Sequence, residues 1–326
     1  MTEEKKAIEM IIDFSEDDKP MTAYDRLKAA RATTRPTSQA YIERIFTERI
    51  ELHGDRQFGD DPAIIGGIGY LGERPVTFIG IEKGCDIEDR MIRNFGCPQP
   101  EGYRKVLRLM RQAEKFGRPI ICFIDTLGAY CGADAEERGQ GEAIARNLLE
   151  MMGLSVPIIS VIIGEGGSGG ALALACANRV YMLENAVYSV ITPEGCATIL
   201  WRDASKVADA AECLRITADD MILFNVAERV IPEDFDNFDE MCRLLANQLD
   251  ADLTELCKLS PKRIEEDRYE RFRRLGIIEE KTESYRVVIN AKLPRIRINK
   301  EKLKQILHLR KKGLFRGAKR RKAGQY

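Results

Sequence analysis

Apolar and polar positions along this chain follow two different periods, and the switching between them outlines the fold. Continuous apolar stretches at 119–125, 156–163 and 179–183 read as buried strands. Between them, apolar residues recur at helical spacing. Residues 101–116 place Val106, Leu109, Met110 and Ala113 on one face, and another helix is expected at about 136–152. Nearer the N-terminus, 22–31 reads as a short helix stopped before Pro36, and 41–52 sets Ile42, Ile45, Phe46 and Ile50 at helical spacing. Strands at 63–70 and 75–82 flank a hairpin turn, Leu71-Gly72-Glu73-Arg74, and a polar loop with Gly84, Gly96, Pro98 and Pro100 follows. The second half adds strands at 186–191 and 227–231, and helices near 171–177, 195–201, 204–214, 217–224, 238–257 and 261–275. Strands alternate with helices and often come in pairs before a helix. The pattern is α/β, closer to stacked ββα units than to a simple Rossmann alternation. It divides the chain into a weakly structured helical lead-in at 1–35, a globular domain at 36–276 and an extension at 277–326.

Composition narrows the class. The chain has 326 residues, 44% of them hydrophobic and 32% charged, enough for a sizeable core. No apolar run approaches the roughly 20 residues that span a bilayer. The first six residues carry no apolar signal core, so a cytoplasmic location without a membrane partner is expected. None of the nine cysteines is spaced as CxxC, which fits reduced, mostly buried thiols and no metal site. The net charge of −1 hides an asymmetry: from Lys292 to Lys322 the only acid is Glu301. This extension reads as a solvated appendage, helical at 300–311 behind Asn299, or as a dock for an acidic protein partner. Nucleic acid is not an expected partner, because aromatic residues for base stacking are scarce there.

The candidate chemistry centres on Gly164-Glu165-Gly166-Gly167-Ser168-Gly169-Gly170-Ala171, a glycine run between a strand and a small-residue helix. Such a run leaves backbone N–H groups open to a ligand oxygen, and a helix N-terminus adds free donors. Gly164, Gly166 and Gly169 imitate a dinucleotide fingerprint, but the helix that follows is short and the motif sits mid-chain. Gly166, Ser168 and Gly170 imitate a nucleophile elbow, yet the chain has only two histidines, His53 and His308, and a serine without a base is a weak nucleophile. Gly170-Ala171 stands where a phosphate loop needs lysine and Ser/Thr. A third pattern uses more of the chain. The strand at 119–125 also ends in small residues, Gly128-Ala129-Tyr130-Cys131-Gly132, so two strand-to-helix turns present backbone donors at strand C-termini. Together they suit an oxyanion hole made of main chain.

These two loops, with Arg93-Asn94-Phe95-Gly96, Pro98, Pro100-Glu101-Gly102-Tyr103-Arg104-Lys105 and Tyr188-Ser189-Val190-Ile191, Pro193-Glu194-Gly195-Cys196-Ala197 and Ile199-Leu200-Trp201, resemble the carboxyltransferase α-subunit family of bacterial acetyl-CoA carboxylase, over about 23–276. The resemblance implies a crotonase-like spiral of ββα units. It also implies transfer of a carboxyl group from carboxybiotin on a biotin carboxyl carrier protein to acetyl-CoA, giving malonyl-CoA. Implied partners are a β subunit in an α2β2 assembly and, more widely, biotin carboxylase; the family's zinc belongs to the β subunit, with no metal in this chain. Carried over, the backbone donors are Gly169 and Gly170, faced by Gly128 and Ala129, with Gly166, Gly167 and Ser168 completing the binding loop. Tyr130 packs on the biotin ring or fills core; Arg93, Lys105 and Lys83 meet CoA phosphates or lie on solvated surface. Glu136, Glu137 and Arg138 are expected to brace the loop, and Asp125 to order its turn. The chain departs from the family pattern at Leu127 and Cys131, where prolines are usual, and at Ile81, where histidine is common. Those changes keep open a divergent paralogue acting on another acyl-CoA, or a catalytically weakened binding subunit.

Overall fold

The structure is a computed structural model and describes residues 21–276. The expected helix at 300–311 lies outside the described residues. Residues 64–71 (β2, Ile64–Leu71) and 74–81 (β3, Arg74–Ile81) pair antiparallel in full register, Ile64 opposite Ile81 and Leu71 opposite Arg74. The turn between them is closed by Gly72 at φ 59. β4 (Ile120–Thr126), β5 (Ile158–Gly167), β6 (Arg179–Leu183) and β8 (Arg229–Ile231) extend the sheet in parallel, each buried on both faces where it is central, which is why their sequences are nearly unbroken in apolar residues. β1 (Thr47–Glu51) flanks β2 at the other edge. β7 (Val187–Ser189) pairs with the far end of β5, giving a sheet of eight strands among the described residues.

Helices cover the sheet. α1 (Ala23–Ala30) starts in a capping box between Thr22 and Asp25 and buries Ala23, Leu27 and Ala30. α2 (Ser38–Ile45) buries Tyr41, Ile42 and Ile45. α3 (Ile87–Ile92) has no buried residue and lies within the stretch expected to be loop. α4 (Pro100–Lys115) has Pro100 in its first turn, where a missing N–H costs nothing, and packs Val106, Leu109, Met110 and Ala113 inward as the periodicity requires. α5 (Ala133–Glu137) and α6 (Gln140–Gly153) precede β5; α7 (Ser168–Ala175) follows it. α8 (Pro193–Trp201), α9 (Val207–Leu214) and α10 (Ala218–Leu223) follow β7, and α11 (Phe238–Leu256) and α12 (Pro261–Arg273) end the described chain. Among the described residues no helix is long and apolar enough to cross a membrane.

Three element expectations need correction. The helix expected at 41–52 ends at Ile45; Glu48 turns left-handed (φ 47) and the chain continues as the edge strand β1, leaving Ile50 exposed. Pairing with β2 overrides the helical spacing there. The single helix expected at 136–152 breaks into α5 and α6 at Gly139, which sits at φ 83. The glycine run is not all loop: β5 continues through Gly167, held by β7 at Glu165, Gly166 and Gly167.

Candidate active site

Two strand ends meet at the site. β4 and β5 are parallel neighbours, with Thr126 opposite Gly166, so their outgoing turns lie side by side. The contact is backbone on backbone. A Cβ at Gly167 would lie 2.0 Å from the Leu127 carbonyl oxygen, and one at Gly170 would lie 2.5 Å from the Ala129 nitrogen. Only glycine allows this approach. Gly164 is fixed the same way by the Asp125 carboxylate, 2.5 Å from where its Cβ would be. Ser168 begins α7 at φ 46, a strained conformation for a residue with a side chain.

The β4 turn is held by hydrogen bonds. The Gly128 N–H donates to Thr126 Oγ1 (3.0 Å), and that hydroxyl donates to the Gly128 carbonyl (2.8 Å). The Gly128 N–H is therefore engaged, and Ala129 is the donor this turn offers; its N–H meets no protein acceptor among the described residues. Farther on, the Tyr130 N–H donates to the Pro98 carbonyl (3.0 Å), and Gln140 Nε2 donates to both the Pro98 and Tyr130 carbonyls. Across the seam, α7 has no side-chain N-cap, so the N–H groups of Gly169 and Gly170 lack intrahelical acceptors.

Both turns line one pocket of about 370 Å3, with Gly128, Ala129 and Gly166 to Gly170 on its floor and Leu27, Ile144, Val187, Ile191 and Ile216 among its apolar walls. The motif at 188–201 supplies part of the rim: Thr192 caps α8 by accepting from the Gly195 N–H (3.2 Å).

Beside the floor runs a chain of charges, buried at Asp125 and Glu165 and partly exposed at Arg31 and Glu194, that the sequence motifs did not reveal. Lys83 Nζ meets Asp125 Oδ1 (3.0 Å) and Glu165 Oε1 (3.5 Å). Glu165 also pairs with Arg31 (2.9 Å), which reaches Glu194 on α8 (2.5 Å). Burial opposes the charge on Lys83, but the Asp125 and Glu165 carboxylates outweigh it and hold the ammonium above its ordinary pKa. Asp125 Oδ1 also accepts the Glu165 N–H (2.9 Å), so Asp125 ties β4 to β5, whereas its own turn is held by Thr126. The lead-in helix α1 thus reaches the site twice, through Leu27 in the pocket wall and through Arg31 just after its last turn. The nearest sequence signal was Glu165, a charged residue inside a glycine run.

Other sequence candidates sit elsewhere. Lys105 is buried, with Nζ on the Ile64 carbonyl and on Asp60 (both 2.8 Å), so a CoA-phosphate role or a solvated position for it is corrected. Lys83, spent in its ion pairs, is corrected likewise. Arg93 closes α3 onto Asp89 (2.6 Å) and the Pro62 carbonyl (2.9 Å), outside the pocket lining. Tyr130 also lies outside it, its ring folded over Gly132. Arg138 braces the loop through Glu101 (3.3 Å), Asp134 (3.0 Å) and Gln99, and stacks on Phe58. His53 bonds Asp60 on the exposed side of the molecule and is not near Ser168's pocket.

This geometry can now be set beside known proteins. The family described as acetyl co-enzyme A carboxylase carboxyltransferase-like matches residues 5–276. The chain belongs to that family. The acetyl-coenzyme A carboxylase carboxyl transferase subunit alpha of Ruminiclostridium cellulolyticum is 56% identical over 258 residues, covering 79% of this chain and 99% of the relative. That of Geobacillus thermodenitrificans is 55% identical over 260 residues, covering 78% and 80%. Among solved structures, a transcarboxylase 12S chain superposes with a TM-score of 0.56 at 17% identity, over 74% of this chain and 46% of that longer one. A chain of a Pseudomonas malonate decarboxylase hetero-tetramer in complex with coenzyme A gives 0.55 at 15%, over 79% and 93%. These structural likenesses bear on the fold, which is crotonase-like, as the family resemblance implied.

Proposed function

We propose that this chain is the α subunit of an acetyl-CoA carboxylase carboxyltransferase, moving a carboxyl group from carboxybiotin on a carrier protein to acetyl-CoA at the first step of fatty acid synthesis. The observation that carries the reading is the seam itself: two glycine turns in backbone contact, with the free donors of Ala129, Gly169 and Gly170 on one pocket floor. Carboxybiotin, when bound, brings the carboxyl group and an oxygen that becomes negative as that group leaves. The pocket volume, its apolar walls and its floor of glycines with small Ala129 and Ser168 fit a flat ring head.

The chain's own contribution is binding and electrostatics. The first turn of α7 and the Ala129 N–H stabilise negative charge on a bound oxygen, at about 2.7–4 kcal/mol per donor where the site is dry. Leu27, Val187 and Ile216 keep water off that oxygen. The Arg31–Glu165–Lys83–Asp125 chain fixes β5 and β4 against each other, so the donors need not reorganise as charge develops. A β subunit completes the acyl-CoA side in this reading. The exposed Ile199, Leu200 and Trp201 of α8, beside the pocket rim, are apolar surface that such a partner would cover. We also assign the α2β2 assembly, the carrier protein and biotin carboxylase as partners, a cytoplasmic location, and the basic extension at 277–326 as an appended segment separate from the domain. The divergent or weakened-subunit reading is not favoured, given identity above 50% along most of the chain.

The test is reconstitution with a β subunit. Malonyl-CoA should form from carboxybiotin and acetyl-CoA only when both subunits are present. Gly169→Val should abolish it while the fold survives, because a Cβ there meets only Ile144 at 3.6 Å. No transfer by the wild-type pair would overturn the reading, and undiminished transfer by Gly169→Val would overturn the assigned donor.

A further inference from the structure

The pocket lies between separately packed bodies. Its floor is continuous with the main hydrophobic core, against which Ala129 and Ile144 pack. Its far wall is not. Leu27, Val187 and Ile216 belong to a second cluster, with Ala23, Ala30 and Ala211. Ile191 packs on a third, whose buried members are Cys196 and Ala197 of α8 and Ala210 of α9. Three such small side chains bury little apolar surface, so α8 and α9 are weakly held by packing.

Polar ties between wall and floor are few as well. Among the described residues, and apart from their own caps, α8 and α9 make polar contacts with two residues of other elements, one at each end of α1. The Ala23 N–H donates to Glu212 (2.7 Å), and Arg31 Nη1 donates to Glu194 (2.5 Å). Only the second tie continues to the floor. Arg31 grips Glu194 with its other terminal nitrogen too, Nη2 at 3.3 Å, and its Nε donates to Glu165 (2.9 Å), the carboxylate that precedes the glycines of β5. Glu165 and Pro193 both line the pocket, so the guanidinium clips strand to helix along its edge. Arg26 holds α1 elsewhere, on the Glu184 carbonyl (2.6 Å) and Asn185 (3.1 Å), outside the pocket lining.

We propose that α8 and α9 form a wall set independently of the pocket floor, and that Arg31 is the positioning residue that fixes the spacing between the two for a bound ring head. The identity of that ring rests on the carboxyltransferase reading. A wall with so small a core of its own shifts at low cost. The donors on the floor stay in place when it does, so the loss falls on binding of the ring and not on the chemistry that follows.

Glu194→Gln releases the wall side of the clip and leaves Arg31 on Glu165. Glu194 is about half exposed, so losing its charge leaves no buried orphan and the fold is retained. The complex with the β subunit is assayed in reverse, with malonyl-CoA as carboxyl donor and free biotin as acceptor. KM for biotin should rise at least about fivefold, while kcat and KM for malonyl-CoA stay within about twofold. Trp201 is the chain's single tryptophan and lies on α8, so it reports the wall without any turnover. In the isolated full chain, acrylamide quenching of Trp201 should increase at least about 1.5-fold in Glu194→Gln, with the thermal midpoint unmoved. A merely structural pair would lower the midpoint and leave the biotin KM in place, and that result overturns the proposal. Unchanged Trp201 quenching overturns it too. A silent wild-type complex overturns the carboxyltransferase reading instead, and the quenching comparison then decides the wall coupling by itself.

Discussion

The two turns that meet at the seam are held by different physics. The β5 turn is over-determined by space: Gly164, Gly167 and Gly170 each press backbone against a neighbour so closely that a single methyl has no room. The β4 turn is held by a latch, with Thr126 Oγ1 on Gly128 and Gln140 on the Pro98 and Tyr130 carbonyls, while Leu127 and Cys131 are exposed. A Cβ at Gly128 would meet only Ser168 Oγ at 3.6 Å; its φ of 151 is what favours glycine there. One turn therefore tolerates no change in shape, and the other tolerates changes in side chain as long as its hydrogen bonds survive. This explains how the seam is kept with Leu127 and Cys131 at the two positions where the family resemblance leads one to expect prolines. Proline stiffens a turn by removing alternatives from the unfolded chain; here the Thr126 and Gln140 bonds hold the folded form directly.

Substitutions can break this contrast. The largest effect is expected from Gly167→Ala, whose methyl would collide with the Leu127 carbonyl: turnover should fall by about 100-fold or more through misplaced donors, with roughly 1–3 kcal/mol of stability lost. Steady-state rates and denaturant midpoints measured together check both. Lys83→Met should cost about 3 kcal/mol, because Asp125 and Glu165 are left buried with less compensation. The linkage has a definite sign. With its folded pKa raised above the ordinary 10.5, Lys83 contributes stability that is full below that value and lost as pH rises through the folded one. The wild type should therefore lose stability at strongly alkaline pH in a phase that Lys83→Met lacks, visible in urea midpoints measured against pH. Thr126→Val opens the latch at Gly128 and should cost about 1 kcal/mol with a few-fold drop in turnover. The smallest effect is expected when both prolines are restored at Leu127 and Cys131. Each should add about 0.4–1 kcal/mol of stability, and turnover should stay within about threefold. A large gain in rate from that double variant would mean the latch is not enough and the β4 turn is loose.

Much of this was legible in the sequence, for reasons that also mark its limits. Strand β6 was readable to the residue because a parallel central strand is apolar on both faces, and α4 was readable because its apolar stripe and Pro100 agree. The helix expected through 41–52 shows the limit: Ile42, Ile45 and Phe46 do pack inward, but pairing with β2 recruits the residues that follow into an edge strand. Gly139 was visible as a glycine but not as the left-handed residue that ends one helix and begins another. At the site, the two small-residue turns were legible because glycine demand is written in the residue itself. Charged residues were not. Lys83, Arg93 and Lys105 look alike in sequence as candidate phosphate ligands, and only their partners, Asp125 and Glu165, Asp89, and Asp60, show that each is engaged elsewhere; of these only Asp89 is local, one helical turn from Arg93.

The central claim is that main-chain donors, Ala129 foremost on the β4 side, stabilise the charge. The most direct measurement replaces the Ala129 residue by lactic acid through suppressor-based incorporation, so that an ester oxygen takes the place of the N–H and no side chain changes. The variant, assayed for carboxyl transfer together with the β subunit, should fold with an unchanged circular dichroism spectrum and turn over about 100- to 1,000-fold more slowly. Turnover equal to the wild type would contradict the account.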